Sequence, residues 1–187
     1  MDELFSVVLD NDEKIVKTFK PVKAKLWCSN LLGTILFVIW FIGLATISIF
    51  LPNEMGEIID RIYLLIPLGI FVLIIIITCI FTAVYYHNLC YAYTNKRIII
   101  RSGIFGVDYK SLDMGMIGAV NVNVSVLDKM IRKNTGTITF GSTASPIGMN
   151  QYRFAHVANP YETCKEIKST IDAYKNKRTI SKEPEEK

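Results

Sequence analysis

The sequence predicts an α+β membrane protein, a two-helix transmembrane hairpin followed by a domain of short antiparallel β-strands with a C-terminal capping helix. Three observations carry this. Residues 62–86 run for 25 positions without a charged side chain, and about 20 helical residues suffice to cross a hydrocarbon core of about 30 Å. Residues 31–51 form a second uncharged apolar block. Beyond Leu89 the apolar residues change to a period of two, interrupted by turn-forming clusters, which is the patterning of short strands.

The 51% hydrophobic content and the mean hydropathy of +0.32 collect in these two blocks, and the remainder has an ordinary soluble composition. That remainder supports one domain of modest size with short tails. The first block starts near residue 31 and is too long for the about 7–15-residue apolar region of a signal peptide, so it reads as an anchor. Cys28, Cys79, Cys90 and Cys164 have neither CxxC spacing nor a cluster of other ligands, and read as reduced cysteines without metal.

Residues 1–30 form a polar N-terminal segment. An apolar run at 4–9 is broken by Asp10-Asn11-Asp12-Glu13. Residues 14–19 alternate loosely and are either a strand pairing with the later domain or interfacial chain, and Pro21 ends them. Trp27 suits the headgroup level ahead of the first span, 31–51. The connector, 52–61, carries Glu54, Glu57 and Asp60 against Arg61, and the second span, 62–86, has Tyr63, Tyr85 and Tyr86 near its ends. Topology follows from the basic residues on the outer flanks: Lys17, Lys20, Lys23 and Lys25 before the spans, and Lys96, Arg97, Arg101 and Lys110 after them. Both termini are expected in the cytoplasm and the 52–61 loop outside.

Neither span contains Asp, Glu, Lys or Arg, which disfavours an ion or proton pathway made by this chain alone. Thr34, Thr46, Ser48, Thr78 and Thr82 are expected to bond back to their own helices. Gly33, Gly43 and Ala45 are small enough for close helix approach, within the hairpin or between copies.

The domain is expected over 89–175. Strands are predicted at 89–93, 97–102, 107–113, 119–124, 136–140 and 151–157, with Val120, Val122 and Val124 on one face and Asn121 and Asn123 on the other. Ser125 and Asp128 have the spacing of a capping box for a short helix at 126–132. Residues 141–150, rich in Ser, Gly and Pro, read as a loop. Asn159-Pro160 opens a helix whose Cys164, Ile167, Ile171 and Tyr174 make one apolar stripe, with Lys165, Lys168 and Lys175 off it. The charged tail, 176–187, is expected to be disordered.

Residues 91–140 resemble the membrane-anchored bacterial pleckstrin-homology-like (bPH) domain family. The matching features are the Tyr91-Ala92-Tyr93-Thr94-Asn95-Lys96-Arg97 opening, the Ser102-Gly103-Ile104-Phe105-Gly106 turn, the VNVNVSVLDKM segment and the Gly136-Thr137-Ile138 strand start. Residues 131–135 depart from it, being bulkier and more basic than the expected glycine-rich link. The resemblance implies a PH-like, seven-stranded, strongly bent β-sheet or barrel capped by the C-terminal helix, a location in the bacterial cytoplasmic membrane, and no catalysis. It does not by itself license lipid binding, because a fold is not a function.

Candidate contacts for anionic lipid or an acidic partner are Lys129, Arg132 and Lys133 on and after the short helix, together with Lys96, Arg97 and Arg101. Each cation near an anionic surface contributes about 1 kcal/mol. The plainer alternatives are a solvated face for the first three and topology alone for the others. Gly136 to Ser142 has the glycine spacing of a phosphate loop without its lysine, and Ser142, Thr143 and Ser145 have no histidine at a motif spacing, His87 and His156 being the only two. The net charge of +4, with no reading helix or stacking platform, argues against nucleic acid.

Three functional classes follow. The first is a non-catalytic membrane-anchored interaction module that binds other proteins or copies of itself. The second is an anionic-lipid-responsive domain using the basic residues above. The third, a small membrane enzyme using Ser142 or Cys164, lacks a catalytic constellation. No cofactor is expected, and the sequence names no small-molecule ligand.

Overall fold

A computed structural model describes residues 4–50, 57–130, 134–143 and 152–180. Contacts divide the chain into two compact units, Leu26–Val84 and a discontinuous one made of Met1–Lys25 with Tyr85–Lys187.

The first of these holds most of two long helices, α1 (Lys23–Phe50) and α2 (Glu57–Asn88). Segments Lys23–Gly43 and Leu68–Asn88 are long and apolar enough to cross a membrane, and only 11% and 6% of their windows are buried, unlike a soluble core helix. Both helices overrun the apolar blocks that marked them. Backbone hydrogen bonding continues through polar residues, so α1 starts eight residues before Leu31 and α2 takes in 57–61 of the expected connector. Residues 51–56 lie outside those described.

The two helices meet as an antiparallel pair. Asn30 Nδ2 donates to Thr82 Oγ1 at 3.1 Å, and Phe37 and Phe41 of α1 face Ile70 and Ile74 of α2 around an apolar cavity of about 200 Å³. Thr34 and Thr46 bond back to Asn30 and Gly43 carbonyls at 3.0 and 2.9 Å as expected, whereas Thr82 serves the partner helix. Gly33 and Gly43 do not mediate this pairing, since a Cβ at either would meet nothing within 4 Å.

The second unit is the β domain. It holds β1 (Ile15–Phe19), β2 (Cys90–Thr94), β3 (Arg97–Ser102) and β4 (Asp108–Asp113) in one antiparallel sheet, in that order. A second antiparallel sheet takes β5 (Ile117–Asn123), β6 (Thr135–Ser142) and β7 (Tyr152–Ala158). A short helix, α3 (Val126–Met130), lies between β5 and β6, and α4 (Pro160–Ile180) ends the described chain. The strands found match those expected to within two residues at each described boundary, and Gln151 lies outside the description.

Residues 14–19 are resolved in favour of the strand. Phe19 pairs with Tyr91 and Ile15 with Thr94, so the domain begins before the helices rather than at Leu89. Among the described residues the seven strands implied by the resemblance are reached only when β1 is included, and they form two sheets.

Four aromatic rings join these sheets. Phe154 lies 5.2 Å from Phe19, 4.9 Å from Tyr91 and 4.8 Å from Phe140, centroid to centroid. The Tyr91 hydroxyl accepts the Ala155 amide at 3.1 Å, satisfying a phenol buried in the core. Behind β2, Phe5 packs on Cys90, Ala92 and Ile99, with Leu4, Leu9 and Ile15 around it. Strand β2 is therefore buried on both faces, Tyr91 and Tyr93 toward one layer and Cys90 and Ala92 toward the other.

Helix α4 buries Cys164, Ile167 and Ile171, as its stripe predicted. Gly136 makes the close approach possible, since a Cβ there would lie 2.9 Å from Pro160 Cγ. Two corrections apply. Residues 176–180, expected in the disordered tail, continue the helix, with Lys177 and Arg178 in its last turn complementing the helix dipole. Lys175 does not merely face away, because its Nζ donates to the Ile117 carbonyl at 2.8 Å.

A fragment starting at Leu89 lacks β1 and the Phe5 layer and exposes the edge of β2 and its Cys90–Ala92 face. It is expected to give a collapsed amide NMR spectrum without a cooperative melt. Replacing 26–84 with a flexible linker, which keeps β1, is expected to restore a dispersed spectrum.

Candidate functional site

Charged residues gather at the start of α1, at the end of α2 and at the β2–β3 turn. At the start of α1, Val22 donates its amide to the His156 carbonyl at 2.7 Å. Three residues on, Lys25 is buried, its Nζ 3.0 Å from Asp128 Oδ1 and 3.0 Å from Ser125 Oγ. Asp128 also receives the Ser125 amide at 2.8 Å, the Ser125 hydroxyl at 2.6 Å and the Thr135 hydroxyl at 2.6 Å. The Ser125/Asp128 capping spacing is therefore real, and the carboxylate reaches back to the cap amide. Burial alone raises the Asp128 pKa, but the bonds from Ser125, Thr135 and Lys25 outweigh it and hold the group at about 2. Burial, followed by the nearby Lys25 charge, pushes the His156 imidazole below its ordinary value.

Lys25 was read as topology-setting; in the folded domain it is an internal ion pair. Arg97 receives the same correction as a lipid contact. Its Nε lies 3.0 and 3.1 Å from the two Glu13 carboxylate oxygens, and its Nη2 lies 2.7 Å from Glu13 Oε2 and 2.7 Å from the Val8 carbonyl. Glu13, whose side chain is fully buried, takes a further bond from Thr94 Oγ1 at 2.6 Å. Burial raises its pKa, and the Arg97, Thr94 and Asp10 bonds together bring it below the usual range. This bidentate pair holds the 4–13 segment to the β2–β3 turn.

At the end of α2 the geometry is different. Asn88 Nδ2 donates to the Gly103 carbonyl at 3.1 Å, and Arg101 Nη1 donates to the Asn88 carbonyl at 3.2 Å. Lys20 Nζ lies 5.8 Å above the Tyr86 ring and 3.5 Å from the His87 carbonyl, and Lys23 Nζ lies 6.0 Å from the same ring. Lys20, Lys23 and Arg101 thus surround the last turn of α2.

The other basic residues scatter. Lys17 pairs with Glu166 of α4 at 2.6 Å on the surface. Lys96 lines an open cleft of about 670 Å³ with Asn95, Asp113, Tyr174, Lys177 and Arg178. Lys129 is exposed on α3, and Arg132 and Lys133 lie outside the described residues. The suggested enzyme residues fare no better: Ser142 closes β6, and the Cys164 thiol is in the inward stripe of α4. Sequence reasoning missed the Glu13–Arg97 and Lys25–Asp128 pairs, because nothing local signals a partner more than eighty residues away.

A family model of the bacterial PH domain matches residues 35–176. The chain belongs to the bacterial PH domain family. The resemblance carried by 91–140 therefore holds at family level. No curated protein and no solved structure matches it. The matched part of this bacterial PH domain starts at residue 35, so β1 and the Phe5 layer precede it and are supplied by the structure. PH-like domains are in general non-catalytic modules for protein or lipid interaction.

Asp128 titrates below its ordinary 3.8, so its contribution to stability is present above about pH 4 and is lost as pH falls from there toward 2. Asp128→Asn leaves the Lys25 ammonium buried without its counter-charge. It is expected to cost about 3–5 kcal/mol at neutral pH and to flatten the acid limb of the unfolding curve, measured by thermal melts in detergent from pH 2 to 7.

Proposed function

We propose that this bacterial PH domain is a non-catalytic interaction module held at the cytoplasmic face of the membrane by α1 and α2, where it binds other proteins or copies of itself. The observation that carries this reading is the way the β domain holds the chain at both helix junctions. Lys25 and Val22 fix the start of α1, and Asn88 and Arg101 fix the end of α2. A domain continuous in chain with both spans stays in the layer beside the membrane, which raises its effective concentration for anything else held there. The outermost strands, β1 and β4 of one sheet and β5 and β7 of the other, are its candidates for pairing with a second copy. Lys17, Lys20 and Lys23 before the spans and Lys96, Arg101 and Lys110 after them support cytoplasmic termini.

The lipid-responsive alternative is favoured by one observation, the grouping of Lys20, Lys23 and Arg101 around the last turn of α2. Lys96, Lys129, Arg132 and Lys133 are its further candidate contacts, and Arg97 drops out because Glu13 holds it.

Crosslinking in intact membranes followed by mass spectrometry tests the module reading. Expected is a discrete protein, or a second copy of the chain, attached to the β domain. Recovery of lipid adducts alone, lost when Lys129, Arg132 and Lys133 are all changed to Gln, would put the lipid-responsive reading ahead. A C-terminal epitope is expected to resist protease added to intact cells and to be cleaved in inverted vesicles.

A further inference from the structure

The hairpin between β3 and β4 ends in an apolar tip. Phe105 is 94% exposed, and Ile104 and Val107 beside it are 40% and 42% exposed. One exposed apolar residue is ordinary, but three on one turn make a patch. The backbone is built to project them. Gly103 has φ +150, and a Cβ there would run into the Gly106 carbonyl oxygen, so only glycine lets the chain double back here and put Ile104 and Phe105 at the apex.

The position of this tip is fixed by the Gly103 carbonyl, which accepts from Asn88 Nδ2 at 3.1 Å. Asn88 is the last residue of α2, two residues past Tyr86, where the second apolar block of the sequence ends. Arg101, at the foot of the same hairpin, bonds the Asn88 carbonyl, and Lys20 and Lys23 lie over the Tyr86 ring. An apolar tip, three cations and a tyrosine ring therefore gather where an apolar helix ends. A bilayer surface has the matching order of chemistry. Tyrosine rings occupy the headgroup level, cations meet anionic phosphates, and exposed apolar side chains reach the acyl boundary a few ångströms deeper.

We propose that the 102–107 hairpin is a membrane-contact site. Ile104, Phe105 and Val107 enter the acyl boundary of the bilayer that holds α1 and α2, and Lys20, Lys23 and Arg101 lie against its anionic phosphates. The inference rests on the membrane reading above and goes beyond it, adding a third attachment that sets which side of the β domain faces the lipid.

The test uses the full chain in vesicles of phosphatidylcholine and phosphatidylglycerol, with photoreactive benzoylphenylalanine in place of Phe105, Trp40 or Lys177 in turn. Trp40 is 62% exposed on α1 and reports whether that helix is in lipid at all. Lys177 is exposed and lines the cleft with Asn95, which follows the far end of β2, about 15 Å along the strand from Cys90. Irradiation is expected to give lipid adducts at 105 and 40 and none at 177. Lipid at 40 without lipid at 105 overturns the contact and leaves the membrane reading standing. So does equal lipid yield at 105 and 177, or a crosslink from 105 to a protein. No lipid at 40 overturns both.

Discussion

The pairing of β1 with β2 is the constraint on which the rest of the structure depends. Phe19 faces Tyr91 although the whole helix pair lies between them in sequence. Without β1 the aromatic cluster around Phe154 loses the Phe19 ring, and the Phe5 layer loses its connection to the domain. Closing so long a loop is costly for a flexible chain and costs less when the loop brings its own ends together. Two antiparallel helices do that, with Asn30 against Thr82 near the ends that return to the β domain.

The charges follow from the same closure. Glu13 with Arg97, and Lys25 with Asp128, join the segment before the helices to the part after them. A buried pair of this kind gives little net stability against an apolar replacement, yet removing one partner is expensive, so both pairs act mainly to fix register between distant pieces of chain. Cations that look equivalent in sequence thereby separate into two roles. Lys25 and Arg97 are internal, and Lys20, Lys23 and Arg101 remain around the end of α2.

Much of this was legible in the sequence, for identifiable reasons. The strands and α4 are local patterns of period two or about three and a half, and Ser125 with Asp128 is a motif four residues long. The helix ends were misplaced, because apolarity marks an uncharged run while hydrogen bonding continues through Lys23 and Asn88. The role of β1 was left open because a five-residue strand with lysine at its centre carries little signal alone. Arg97 and Lys25 read as surface cations in the sequence, which shows charge but not whether a carboxylate such as Glu13 or Asp128 already answers it. The Gly103–Gly106 turn was legible as a turn, although Val107 was placed in the following strand, and the exposed apex was visible only once Gly103 and Gly106 were seen to close it.

The discontinuity of the β domain also sets an order in time. Strand β1 is synthesised before either helix, and β2 follows about 70 residues later, so at roughly 5–20 residues per second β1 waits about 4 to 14 seconds for its first neighbour. During that interval the Glu13 carboxylate lacks Arg97 and Thr94, and the Lys25 ammonium lacks Asp128 and Ser125, while both apolar helices leave the ribosome. Docking of the nascent N-terminal segment is thus a late event that completes the domain.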